Sequence, residues 1–363
     1  RGRVDLASPV ITSLGAGLQA SWELDLFGAQ GAARNAAQAR LEGAEAGWHE
    51  ARVLVAAETA LAYLGLRSCE AQLQQTQADA ESRRETARLT GLSEKAGFQS
   101  PANAALARAS AAQGQSQLAA QRAACDQQVK ALVALTALDE APLRAELATR
   151  AAQLPAPARL GVASVPAQAL AQRPDLAAAE RQLAAAAADA QAARAQRWPR
   201  VTLAGSLTPT RVEAAGFTQN GTLWQLGPVQ IALPLFDGGR IAAGENAARA
   251  RYDEAASAYR ARVRQAVREV EAALVALAAA EQRAADVQQA ADDFQRALRG
   301  TDSRYRAGLA SLFELEDARR SALAAQGALI DLQRERIAAW IALYQALGGG
   351  WQPGQPATLA AAS

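Results

Sequence analysis

The chain has 363 residues, with 38 Lys and Arg against 36 Asp and Glu, and its formal net charge is +2. Because charges of both signs are interspersed, the sequence lacks the one-sided basic patch of a nucleic-acid-binding protein. Only 5% of the residues are aromatic, and long proline-free runs of Ala, Leu, Glu, Gln and Arg predict long helices. No run of about 18 apolar residues predicts a transmembrane helix, although membrane-spanning strands would give a far weaker pattern.

The first predicted element is a β-strand over residues 10–27. Between Ser13 and Phe27 apolar side chains alternate with small or polar ones, the period of two that a strand with unlike faces requires. Such faces are typical of a barrel wall between lipid and water, but a half-buried strand of a soluble sheet has the same period. A long helix over about 29–96 and a return helix over 101–138 follow.

Residues 139–173 contain four prolines and predict an irregular connector. The second half predicts a helix over 174–197, strands over 200–211 and 222–236, a long helix over 240–306, a return helix over 312–347 and a flexible tail over 351–363. In the long helix apolar residues recur every three or four positions between Tyr252 and Leu277. At 1.5 Å per residue this helix is about 100 Å long, which no compact globule of this size requires.

The two halves of the chain repeat each other. A shift of 211 positions pairs Gly97 with Gly308 and Ser100 with Ser311, so that the pattern Gly-x-x-Ser recurs. The other matches are Arg40 with Arg251, Trp48 with Tyr259, Glu58 with Glu269, Leu66 with Leu277, Arg108 with Arg319, Gln115 with Gln326, and Leu118 with Leu329. Glycine suits a left-handed helix end and Ser the start of the next helix. We therefore predict a tandem duplication, 1–138 and 174–350, in which each copy is a strand followed by a helical hairpin.

The residues typical of enzyme active sites do not occur together in this sequence. The single histidine, His49, lies in a helical run without a second metal ligand, and the sequence shows no converging catalytic set and no cofactor motif. Asp237-Gly-Gly-Arg240 joins a strand to a helix, where a phosphate could bind, but a tight turn explains these glycines well enough. We predict no catalytic, cofactor or metal site.

The two cysteines fall at matched heights in the first hairpin. Cys69 lies 28 residues before Gly97 and Cys125 lies 28 residues after it. An oxidising compartment would then favour a disulfide, worth about 4 kcal/mol on the loop-entropy model. The alternative is two buried thiols whose helix faces do not meet.

A dense group of charges follows the second Gly-x-x-Ser turn. Its members are Glu314, Glu316, Asp317, Arg319 and Arg320. One interpretation is a solvated helix start, with acids suited to the N-terminal dipole. The other is an acidic ring at a constriction, formed where several copies meet on an axis. The periodicity leaves both open.

Four stretches of the chain resemble the outer-membrane efflux channel family of the TolC/NodT type, the outer-membrane factor lipoproteins of RND pumps. The stretches are Ser21-Trp-Glu-Leu-Asp-Leu-Phe-Gly28, Arg173-Pro-Asp-Leu176 with the run to Trp198-Pro199, Leu233-Pro-Leu-Phe-Asp-Gly-Gly-Arg240, and Tyr305-Arg-x-Gly308 through Asp317-Ala-Arg-Arg320 to Trp351. They occur in the family's order and span nearly the whole chain.

The resemblance implies an α+β membrane protein that works as a homotrimer. Four strands per subunit would close a 12-stranded transmembrane β-barrel, continued across the periplasm by a long α-helical coiled-coil barrel. The protein would be the passive exit duct of a tripartite multidrug efflux pump, in the outer membrane of a Gram-negative bacterium and in contact with its lipid. Its partners would be a periplasmic adaptor (membrane-fusion) protein and an inner-membrane transporter.

The resemblance also implies site residues. The periplasmic gate would contain Phe313 and Asp317, with Arg320 as a partner. The helix tips that contact the adaptor would be Gly97, Phe98, Ser100, Gly308, Leu309 and Ser311. One departure is Asn103, preceded by Pro101, where the family usually has an acidic residue after the first tip.

The two copies are unequal, because only the second shows a helix and two strands before its long helix. We therefore expect the chain to be truncated, with a further helix and strand upstream of Arg1, and the family's lipid-bearing Cys, if present, there too. Two other functions stay open, a periplasmic coiled-coil scaffold without a transport role and an adaptor protein. A scaffold would not need the two-faced strands, and an adaptor would carry one hairpin rather than two.

Overall fold

The computed structural model describes residues 11–155, 171–214 and 217–351. The elements are β1 (Ile11–Gly15), β2 (Leu18–Leu24), α1 (Ala29–Lys95), α2 (Pro101–Thr136), α3 (Glu140–Ala148), α4 (Pro174–Ala195), β3 (Arg200–Ala214), β4 (Phe217–Ala232), α5 (Arg240–Arg306) and α6 (Leu312–Ala346). They form two compact units, one within Arg1–Glu45 and Ala178–Ala261 and the other within Ala46–Ala177 and Arg262–Ser363. No helix in the described ranges carries an apolar stretch long enough to cross a membrane.

The first unit is built around one antiparallel sheet with β3 at its centre. β1 and β2 pair with one edge of β3, and β4 pairs with the other. The register aligns apolar residues in rows across one face: Leu24, Val201 and Ile231; Trp22, Leu203 and Val229; Leu18, Leu207 and Trp224. The other face carries polar rows: Glu23, Thr202 and Gln230; Gln19, Ser206 and Gln225. The alternation seen in the sequence therefore produces a two-faced sheet, as cross-strand neighbours share a face.

The predicted single strand over residues 10–27 is wrong in one detail, because it is interrupted at Ala16 and Gly17. Ala16 lies opposite Pro209, which accepts a hydrogen bond from the Ala16 amide but has no N–H to return. A Cβ on Gly17 would lie 2.8 Å from the carbonyl oxygen of Leu207, so only glycine fits there. The ladder is lost for two residues and resumes in the same register.

The last strand also differs from its predicted range of 222–236. β4 begins earlier, at Phe217, and ends at Ala232. Leu233 and Leu235 continue the alternation in the sequence but lie outside the sheet, and Pro234 between them has no N–H to donate to a ladder. β3 likewise extends to Ala214 rather than to residue 211.

The helices of the two hairpins match in length. α1 and α5 each have 67 residues, and α2 and α6 have 36 and 35. Each of the four ends within two residues of the bound predicted from the sequence. The shift of 211 residues carries the first residue of α1 onto that of α5 and the first residue of α2 onto that of α6.

The connector predicted as irregular over 139–173 contains the nine-residue helix α3. Pro142 lies in the first turn of this helix, where the missing N–H costs nothing, so the proline was a misleading signal. Leu143 and Leu147, four residues apart on one face, pack into a cluster with Leu66 and Leu132. The rest of the predicted connector, over 156–170, and the predicted tail from residue 352 onward lie outside the described residues.

Candidate functional site

The two helix tips have the same backbone construction. Gly97 and Gly308 adopt left-handed conformations, with φ of 80° and 74°. The amides of Phe98 and Leu309 each donate to the carbonyl five residues earlier, at 2.8 Å, which is the bond of a Schellman helix end. The side chains of Phe98 and Leu309 are 85% and 71% exposed. Each tip therefore presents one apolar side chain on a turn that only glycine can make.

Serine begins the return helix at both tips. Ser100 Oγ accepts from the amide of Asn103, and Ser311 Oγ accepts from the amide of Glu314, both at 3.2 Å. At the second tip Glu314 completes a capping box by accepting from the Ser311 amide at 2.6 Å. This amide holds the pKa of the Glu314 carboxyl below its ordinary value, so the cap is intact at neutral pH and is lost only as pH falls through that lowered pKa.

Glu316 connects the two hairpins rather than facing solvent. One of its carboxylate oxygens accepts from Arg83 Nη1 at 2.9 Å and from Ser110 Oγ at 2.8 Å. Its other oxygen accepts from Arg319 Nη1 at 2.8 Å. Arg83 lies on α1, Ser110 on α2 and Arg319 on α6, so one carboxylate joins three helices. Arg83 also pairs with Asp79 at 2.6 Å.

Arg319 is 3% exposed and is the second hub of this network. Its Nη2 atom donates to Ser82 Oγ at 2.8 Å and to Thr86 Oγ1 at 2.7 Å, both on α1. A further contact between the hairpins joins the hydroxyls of Thr90 and Tyr305 at 3.0 Å. Charge-assisted bonds of this kind are among the stronger polar interactions in proteins. We call Glu316, Arg319 and their partners on α1 and α2 the hairpin network.

The charged residues after the second tip thus have three different roles. Glu314 caps the helix, and Glu316 and Arg319 form the hairpin network. Asp317 and Arg320 pair with each other on the exposed face of α6, where their side chains are 67% and 78% exposed. Phe313, also assigned to the gate by the resemblance, is 68% exposed. The solvated-helix interpretation is therefore wrong for Glu316 and Arg319 and is compatible with the position of Asp317 and Arg320.

Asn103 does not form a charged link at the first tip. Its side-chain amide donates to Gln99 Oε1 at 2.9 Å, within the same turn. An ion pair near this tip joins Arg108 to Glu94 at 3.3 Å, with side chains 61% and 28% exposed. The first tip therefore lacks the acidic residue that the resemblance implies after it. The second tip has Glu314 at the position equivalent to Asn103.

The two cysteines lie at the same height in the first hairpin. The structure joins Cys69 on α1 to Cys125 on α2, with their Cα atoms 5.5 Å apart. Gln121 Nε2 donates to the carbonyl oxygen of Cys69 at 3.2 Å, and to Gln72 Oε1 at 3.3 Å. Gln72 in turn donates to Asp331 on α6 at 3.1 Å, so a chain of amides runs from the cysteines to the second hairpin.

A buried arginine ties the start of α4 to α5 and α6. Arg173 Nε and Nη2 donate to the two oxygens of Asp175, at 2.9 and 2.8 Å. The same guanidinium donates to Glu269 at 2.7 Å and to the carbonyl oxygen of Ala346 at 2.8 Å. Burial acts to lower the pKa of Arg173, but its bonds to Asp175 and Glu269 outweigh this and keep the pKa above its ordinary value. The Arg-Pro-Asp-Leu motif noticed in the sequence is therefore structural.

The residues considered for other chemistry have structural surroundings. The ring of His49 lies between those of Trp48 and Trp351, with centroids 4.9 and 5.8 Å away. Asp237 accepts from the amides of Ile241 at 2.6 Å and Gly239 at 2.9 Å, and so occupies the donors that a phosphate would use. These bonds lower the pKa of Asp237. Within the described ranges, no three His, Cys, Asp or Glu side chains are placed to hold a metal ion.

Comparison with known proteins identifies the family. The family model described as "Outer membrane efflux protein" matches residues 1–138 and 165–349. The chain belongs to this family. It is 32% identical to the pyoverdine export outer membrane protein OpmQ of Pseudomonas aeruginosa, over 94% of this chain and 71% of the relative. It is also 32% identical to outer membrane protein OprJ of the same species, over 92% and 69%.

Solved structures agree with this assignment. The outer membrane protein VceC of Vibrio cholerae superposes with a TM-score of 0.78 at 27% identity, covering 95% of this chain and 88% of that one. The outer-membrane channel OprN gives a TM-score of 0.84 at 28% identity, covering 95% and 82%. The resemblance seen in the sequence is thus confirmed, as are the outer membrane as location and efflux as function. The family consists of outer-membrane efflux proteins, which are transporters rather than enzymes.

Proposed function

We propose that three copies of this chain form the exit duct of a tripartite efflux pump, with their strands in one 12-stranded barrel and their hairpins in a helical barrel below it. The observation that carries the proposal is the two-faced sheet. Its apolar rows are uncovered in the single chain, with Trp22, Trp224 and Ile231 65–76% exposed. Lipid would cover such a face without the free-energy cost that its exposure to water carries.

The need to close the sheet supports a trimer. Among the described strands, β1, β2 and β4 each pair only with β3, so the sheet has two open edges. In a bilayer, unpaired backbone groups at an edge cost several kcal/mol each, and closure removes that cost. Neighbouring copies would supply the missing partners. The matched hairpins, which we attribute to a duplication, would then place six similar helical units around the axis.

The proposed assembly is tested with the full-length protein purified in detergent. We expect a mass of three copies by light scattering, with the detergent contribution subtracted, and discrete single-channel currents in a planar bilayer. A monomer without conductance would contradict the duct, and a protein that stays dispersed without detergent would favour the scaffold. Chemical cross-linking before solubilisation guards against trimers that detergent dissociates.

We further propose that the helix tips dock on the periplasmic adaptor, which connects the duct to the inner-membrane transporter. The exposed Phe98 and Leu309 at equivalent turns support this, because an apolar side chain on a rigid turn fits a pocket on a partner at little cost in conformational entropy. The tip backbone, Gly97 to Ser100 and Gly308 to Ser311, holds both side chains at the end of its hairpin.

The gate is proposed at Phe313, Asp317 and Arg320. These side chains are exposed in the single chain, on the first turns of α6 beyond the tip. If three copies bring this face to the axis, Asp317 forms an acidic ring that Arg320 of the same helix partly neutralises, and Phe313 narrows the opening. Rings of carboxylates in a constriction favour cations.

Replacement of Asp317 by Ala is expected to increase single-channel conductance and to weaken cation preference, because the ion pair with Arg320 and the ring of charge are both removed. The measurement is conductance and reversal potential in a salt gradient. Asp293→Ala is the matched control, since Asp293 pairs with Arg296 three residues on in α5. Equal conductance and selectivity in wild type and Asp317→Ala would remove Asp317 from the gate.

A further inference from the structure

The Cys69–Cys125 bond lies at a boundary between two kinds of packing in the first hairpin. On the side away from the tip, the cysteines join a cluster of large apolar side chains. Its buried members besides the cysteines are Leu66, Val129, Leu132, Leu143 and Leu147. This cluster holds α1, α2 and α3 together by burying branched side chains, which stabilise a contact in proportion to their apolar area.

On the side toward the tip, the buried side chains of α1 and α2 are small or polar, apart from Leu118. Buried positions there include Ala80, Ala104, Ala107 and Ser110. Gly114 crosses α1 closely enough that a Cβ would lie 3.3 Å from the Cα of Ala80. Side chains of this size bury little apolar area, so much of the attachment on this side comes from polar links such as that of Arg83 with Ser110 at 2.9 Å.

The second hairpin has no such bond at the same height. The shift of 211 residues places Ala280 and Arg336 where the first hairpin has Cys69 and Cys125. Ala280 is buried, and the Nε atom of Arg336 is buried without a hydrogen-bond partner among the described residues. The Nε atom of Arg67 in the first hairpin is likewise buried without a partner among the described residues, so an unsatisfied donor does not distinguish the two hairpins. The two hairpins are thus similar in length, and the covalent bond at this height is what distinguishes the first from the second.

We propose that the Cys69–Cys125 bond is a covalent stop. It confines any separation of α1 from α2 to the side toward the tip, and it keeps the apolar cluster on the side away from the tip closed. The stop goes beyond the proposed gate, and its test does not depend on conductance.

The experiment is hydrogen exchange, read by mass spectrometry on the full-length protein in detergent, comparing wild type with Cys69→Ala/Cys125→Ala. Without the bond, amides on the side away from the tip should exchange faster by about tenfold or more, because local opening can now pass the former stop. These amides lie in Leu64–Arg67 and Val129–Leu132. The corresponding segments of α5 and α6 should not change. Unchanged exchange on the side away from the tip, or an equal increase in both hairpins, would overturn the proposal.

Two controls separate the covalent stop from ordinary loss of packing. Leu118→Ala removes a buried side chain on the side toward the tip while leaving the bond in place. Exchange should then become faster only between the cysteines and the tip. If exchange on the side away from the tip becomes as fast as in the double variant, the effect is due to packing and the proposal is overturned. Peptide mapping of the wild type without reductant must find the Cys69–Cys125 peptide pair, since two free thiols would end the idea.

Discussion

Replacing Glu316 by Ala is expected to lower the free energy of unfolding by about 3 kcal/mol and to loosen the second hairpin from the first. The substitution leaves Arg83 and Arg319 without the carboxylate that they share, and Arg319 is 3% exposed. Removing one partner of a buried ion pair costs about 3–5 kcal/mol, and the lower end applies because the Glu316 side chain remains 19% exposed. Denaturant titration followed by far-ultraviolet circular dichroism measures this loss.

The neighbouring residue supplies the control. Asp317→Ala removes a carboxylate one position away, but from an exposed pair, and should change stability by less than about 1 kcal/mol. Glu316→Gln keeps the shape and some hydrogen bonds, so its loss in free energy of unfolding should lie between those of Glu316→Ala and Asp317→Ala. Similar losses for Glu316→Ala and Asp317→Ala would show that the hairpin network contributes no more than a surface ion pair.

Replacing Arg173 by Ala is expected to cost about 3–5 kcal/mol, because it leaves the carboxylate of Asp175, 8% exposed, without its cation. The Ala346 carbonyl and Glu269 lose a donor at the same time. Since the pKa of Arg173 lies above its ordinary value, the guanidinium is charged throughout the neutral range, and the loss should be the same between about pH 6 and 8. The same denaturant titration, repeated at both ends of that range, measures it.

Two further variants show whether geometry or charge matters at this position. Arg173→Lys keeps the charge but cannot reproduce the two parallel bonds to Asp175, and should lose about 1–3 kcal/mol. Arg181→Ala removes an arginine whose ion pairs with Glu42 and Glu180 are exposed, and should lose less than about 1 kcal/mol. A wild-type-like Arg173→Ala would contradict the structural role of the motif.

The elements that depend on local interactions could be predicted well from the sequence. At the tips, the helix bounds lie within two residues of their predicted positions. The reason is that Gly97 and Gly308 end α1 and α5, and Ser100 and Ser311 start α2 and α6, through bonds to residues three to five positions away. The two faces of the sheet were also visible, since strand side chains alternate whatever the partner strand is.

Errors occurred where a distant partner or a neighbouring element decided the outcome. The break between β1 and β2 depends on Pro209, which the register places opposite Ala16 although it is remote in sequence. Pro142 predicts a break in the connector, but the short helix α3 forms because Leu143 and Leu147 pack on the cluster around Cys69 and Cys125. Local propensity does not contain either contact.

Periodicity, spacing and motif order in the amino-acid sequence are enough to predict the family, the two-faced strands, the paired hairpins and the equal heights of the cysteines. Only the tertiary structure separated the charges after the second tip into a cap, a buried hairpin network and an exposed pair. The partners of Glu316 on α1 and α2 lie 233 and 206 positions away, and burial depends on such partners. Glu316 and Asp317 are adjacent acids in the sequence, and their different surroundings arise only when the hairpins pack.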